Sequence, residues 1–212
     1  MSTELLKFPK LCFQYFDLLS HLCEVYPEKI AELPESSLDM LMSTLSAGLE
    51  LPETRVLRIV LESLESLAKH LWTSLKHNRA PFAQQRFPGN AFRLQPHRCS
   101  TLLALGRASF ASFFIHCVLQ RLLRSEEGGD AVAAAAATLL LLLSCEQSNA
   151  QRILRDVVDS IGTYASVDVD IQTLLHFDEG TEFDPLSSKT HDSFRERLGV
   201  FVRSARRLTR TH

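Results

Sequence analysis

The stretch from Phe8 to Tyr26, FPKLCFQYFDLLSHLCEVY, decides the fold. Its apolar side chains fall at Phe8, Leu11, Cys12, Tyr15, Leu18, Leu19, Leu22, Cys23 and Tyr26. Steps of three and four keep such a stripe on one side of a helix with ~3.6 residues per turn. The segment Pro27 to Pro34 is too short and too proline-broken to form an element of its own. A second apolar run then follows at Leu38, Leu41, Met42, Leu45 and Leu49. Helix, short break, helix is the unit of an α-solenoid, in which each pair buries its stripe against neighbouring pairs. The expectation is a surface that grips other proteins rather than a pocket for chemistry. The first stripe is expected to be structural throughout, so that Leu22→Asp would abolish folding.

Further along, a long helix is expected after Leu51-Pro52, with Val56, Leu57, Val60, Leu61, Leu64, Leu67, Ala68, Leu71, Trp72 and Leu75 inward. Residues 78–98 lose this periodicity and hold Pro81, Pro88, Gly89, Pro96 and several arginines; they read as a basic loop inserted between two helices. Another helix is expected from Ser100 to Arg124, and the Glu126 to Gly129 turn stops it. Asp130 can cap the next helix, which runs to Cys145. A helix carrying Ile153, Leu154, Val157, Val158 and Ile161 follows. Val167 to Asp170 alternates like a strand, whereas Ile171, Leu174, Leu175 and Phe177 suit a helix. The last helix carries Phe194, Leu198, Phe201, Val202, Ala205 and Leu208. The total is about eight helices in antiparallel pairs: an all-α superhelix of HEAT or armadillo type over residues 1–212. The pairs are too unequal for a strict 34-residue tetratricopeptide repeat.

Composition agrees. A 212-residue chain with 45% hydrophobic residues can bury a sizeable core. A net charge of -2 provides no global field for nucleic acid or membranes. Acids nevertheless gather in the first third (Glu24, Glu28, Glu32, Glu35, Asp39, Glu50, Glu53), and arginines near the end (Arg195, Arg197, Arg203, Arg206, Arg207, Arg210). Five cysteines without CxxC spacing point to a reducing compartment, nucleus or cytosol, rather than a disulfide framework. The N-terminus lacks the basic-then-apolar pattern of a secretory signal. It also lacks a polar-faced terminal repeat, so the chain is expected to be a fragment of something longer.

Ala131 to Cys145 (AVAAAAATLLLLLSC) has about 15 apolar residues where roughly 20 would be needed to span a bilayer. A helix buried on all sides of a solenoid is the expectation. No GxSxG, P-loop, GxGxxG or HExxH motif occurs. His21 and the nearby cysteines belong to the apolar stripe rather than to a zinc site, and Asp178, Glu179, Glu182 and Asp184 lack the ligand spacing of an EF-hand. No catalytic group, metal or cofactor is expected.

The residues Phe8-Pro9-Lys10-Leu11, Tyr15, Cys23 to Ile30, Leu33-Pro34-Glu35, Leu41-Met42 and Gly48 resemble the C-terminal repeats of karyopherin-β nuclear export receptors, in the exportin-4 group. Phe194 to Leu198 with Phe201-Val202-Arg203 is similar to the tail of the related exportin-7 group. The resemblance covers the first quarter well and the rest loosely. It implies a HEAT-repeat receptor that shuttles between nucleus and cytoplasm and carries cargo protein through nuclear pores under control of the GTPase Ran. Family members bind Ran-GTP mainly through N-terminal repeats that this chain lacks. Nuclear pore proteins are further implied partners; a membrane and specific nucleic acid are not.

In such arrays the second helix of each pair lines the concave face. Asp39 and Ser43, with Glu35 and Glu50 at the helix ends, are therefore candidate protein-binding residues, forming an acidic wall for a basic cargo. Arg203, Arg206 and Arg207 are a second candidate set. They could complement the negative end of the last helix, meet an acidic partner, bind nucleic acid nonspecifically or form an ordinary solvated face, the last being the usual meaning of a charged helix face. The alternative to a transport receptor is a generic helical-repeat scaffold for protein complexes.

Overall fold

Pro9 starts the first helix because its missing N–H costs nothing at the first helical position. Phe8, extended at φ -106° and ψ 101°, precedes it, and its carbonyl accepts from Cys12 N–H at 2.9 Å. The computed structural model describes residues 8–76, 110–124, 129–160, 167–176 and 184–209. Within them the chain forms α1 (Pro9–Val25), α2 (Pro27–Ala31), α3 (Glu35–Glu50), α4 (Thr54–Lys76), α5 (Phe110–Arg124), α6 (Gly129–Cys145), α7 (Ala150–Ser160), α8 (Val167–Leu175) and α9 (Ser188–Thr209). The basic insertion at 78–98 and the first part of the helix expected from Ser100 lie outside the described residues. So do Asp178, Glu179 and Glu182 of the acidic patch, and Arg210.

The helices form two layers. In one, α1 packs on α4, α4 on α6, and α6 on α9. In the other, α3 packs on α5, α5 on α7, and α7 on α8. Contacts of α3 with α4, α5 with α6, and α8 with α9 join the layers. Successive long helices thus alternate between layers, the arrangement of an all-α helical repeat. Only a stripe of each outer helix is covered, while helices in the middle are enclosed on several sides. Accordingly, α5 buries every residue from Phe110 to Gln120, and α6 buries Thr138 to Ser144. Contacts with α4, α5 and α9 enclose the leucine run of α6, as expected of a helix apolar all round. No described helix is long and apolar enough to cross a membrane.

Two expectations are revised, and one alternative is decided. The Pro27 to Pro34 break contains a helix of its own, α2, because Pro27 sits at its first position and Ile30 N–H reaches the Tyr26 carbonyl at 3.1 Å. The alternation at Val167 to Asp170 is helical, and this segment opens α8. The second revision concerns α1, whose stripe is divided. Cys12, Phe16 and Cys23 are buried, whereas Phe8, Leu11, Leu18, Leu22 and Tyr26 are exposed. The core-facing side of α1 takes Cys12, Leu19 and Cys23 from the edge of the assumed stripe and is centred on Phe16. Leu22 is 38% exposed, so Leu22→Asp alters a surface side chain and leaves the core intact.

Phe16 is buried in the junction where α1, α3 and α4 meet. A Cβ at Gly48 would lie 2.7 Å from Phe16 Cε1 and 2.7 Å from Val60 Cγ2. The absent side chain is what lets α3 approach the other two helices this closely. Nearby, the Arg55 guanidinium stacks over the Phe13 ring at 4.2 Å and covers the α1–α4 seam from outside.

Candidate protein-binding surface

The two sets of candidate residues occupy different parts of the stack. On α3, Asp39, Ser43, Ser46 and Glu50 share one side by helical spacing. Ser46 Oγ lies 3.9 Å from Cys117 Sγ of α5, so this side runs along the α3–α5 seam. Asp39 and Ser43 are consequently half-buried rather than fully outward, while Glu50 is exposed. Glu35 opens the helix. The freely exposed strip of α3 lies further round, at Ser36, Met40 and Ala47.

On α9, Arg203 and Arg207 are exposed and Arg206 is half-buried. Arg206 donates from Nε at 3.0 Å and from Nη2 at 2.6 Å to the Leu122 carbonyl, near the end of α5. The last carbonyls of a helix lack intrahelical partners and carry its negative dipole end. A planar two-donor cation suits that position. Arg121 of α5 similarly donates from Nη2 at 3.2 Å to the carbonyl of Leu51, the C-cap of α3. Arg197 Nη1 donates to the Thr173 carbonyl in the last turn of α8 at 3.4 Å. Three arginines thus clasp the C-terminal ends of helices packed beside their own. Among the candidate arginines, Arg206 acts within the fold, whereas Arg203 and Arg207 remain available to a partner. Their face also carries Lys189, Arg195 and Glu196, with Arg195 Nη2 bridging Asp192 at 3.1 Å.

Several polar groups inside the stack escaped notice in the sequence. Thr138 Oγ1 donates across the α4–α6 seam to the Leu61 carbonyl at 3.0 Å. His116 Nε2 and Gln120 Nε2, one turn apart on α5, are 2.8 Å apart, and Gln120 Nε2 donates to Ser160 Oγ of α7 at 3.4 Å. Their spacing of four places them on one side of a helix, but their burial depends on where α7 packs. Ser204 Oγ donates to Asp170 Oδ2 at 2.6 Å, giving that carboxylate a structural tie between α8 and α9.

Among the described residues, the thiols of Cys12, Cys23 and Cys117 are buried packing groups and that of Cys145 is half-buried. Burial pushes Cys23 and Cys145 up to about 12 and raises Cys12, which Glu53 raises further. A thiol held protonated in this way is a poor nucleophile and a poor metal ligand. No group of three or more His, Cys, Asp or Glu side chains is placed to hold a metal ion among the described residues. No protein-family model matches the chain, and no solved structure matches it. What the geometry offers is helix faces: an acidic edge at Glu50, a basic end at Arg203 and Arg207, and an apolar face on α1.

Proposed function

We propose that the chain works by binding protein on the outer faces of its helical stack, as part of an exportin-like nuclear transport receptor. The observation that carries the binding reading is the two-layer stack itself. Its interior is filled by helix-to-helix packing, and its charged side chains stand on extended outer faces, the usual architecture of a protein-recognition array. The narrower reading, Ran-dependent carriage of cargo between nucleus and cytoplasm, is supported by the resemblance of Leu6 to Gly48 to the exportin-4 group. The coarser alternative, a helical-repeat scaffold without transport, needs only the stack.

The test is a pull-down with the chain, alone and within any longer transcript that contains it, with Ran-GTP or Ran-GDP added. Retention enhanced by Ran-GTP supports an export receptor, and retention indifferent to the nucleotide leaves the scaffold. Exchanging Glu50→Lys on one face and Arg203→Glu with Arg207→Glu on the other should reduce retention without unfolding, since all three side chains are exposed. Retention unchanged by both exchanges removes these faces from the proposal.

A further inference from the structure

We draw no further inference here: the strongest candidate, the exposed apolar strip of α1 formed by Leu11, Leu18, Leu22 and Val25 at the end of the α1–α4–α6–α9 layer, is an unpartnered helix face, and nothing in the structure shows what covers it.

Discussion

Adding one methyl group at Gly48 tests the packing of the stack most directly. An alanine Cβ there would meet Phe16 Cε1 and Val60 Cγ2 at 2.7 Å each and Phe16 Cζ at 2.8 Å. Ordinary carbon contacts begin near ~3.5 Å, so the neighbours would have to retreat by most of an ångström. Neither can do so cheaply: Phe16 is 1% exposed and Val60 is fully buried, each packed within the core. Two effects compete. Replacing a mid-helix glycine by alanine stabilises a helix by about 0.5–1 kcal/mol. Overpacking a close-fitted core costs about 1–3 kcal/mol. The clash on two helices at once should win, leaving Gly48→Ala less stable by about 1–2 kcal/mol. For a chain of this length, that lowers Tm by roughly 2–8 °C. Urea titration followed by circular dichroism reads the loss, and Phe16→Leu should recover part of it in the double variant, because the ring edge then no longer opposes the new methyl. A Gly48→Ala protein as stable as the parent, or more so, would refute the close three-helix junction.

Arg206→Met should cost about 1.5–3 kcal/mol, since it leaves the Leu122 carbonyl without its charged two-donor clasp, whereas Arg207→Met, one residue along and exposed, should change stability by less than ~0.5 kcal/mol. Comparative thermal melts check the pair. In a Cys99→Ser background, iodoacetamide at mildly alkaline pH should label native Cys12, Cys23, Cys117 and Cys145 only as fast as the protein opens, because burial raises Cys12, Cys23 and Cys145 and leaves Cys117 inaccessible. Labelling at the rate of a free thiol would refute it. Burial, partly opposed by His191 and Lys69, raises the Glu65 carboxyl above its ordinary value. Its folded form then binds a proton more tightly than its unfolded form, so its contribution is fully present below the unfolded pKa and lost as pH rises through the folded one. Glu65→Gln should therefore be more stable than the parent at neutral pH and lose that advantage on acidification; equal pH profiles by denaturant titration would count against this.

The helices were legible because hydrophobic spacing reports a local property. Leu38, Leu41, Met42, Leu45 and Leu49 are all buried on α3, and the stripe of α4 from Val56 to Leu71 is buried throughout. The all-round apolar character of α6 also correctly signalled an enclosed helix. Local signals fell short where two conformations share residue types. Val167 to Asp170 alternates as a strand would, yet four residues are too few to outweigh the helical run that follows. α2 went unread because prolines mark breaks and helix starts equally well. Of the candidate surface, the sequence indicated which residues were charged but not which ones a neighbouring helix would claim.

Sequence by itself determined the helical kind of the long elements, their order, and the apolar positions available for burial. Tertiary structure alone decided which of those positions were covered. α1 carries two apolar seams of nearly equal quality, and periodicity cannot rank them; the approach of α4, set by Phe16 against Gly48 and Val60, buries one and leaves the other open. Arg206 and Arg207 are chemically identical neighbours, but ~100° of helical rotation aims one at the end of α5 and the other at solvent. A side chain's type is written in the chain, whereas its partner depends on residues far away whose positions follow from the packing of the whole stack.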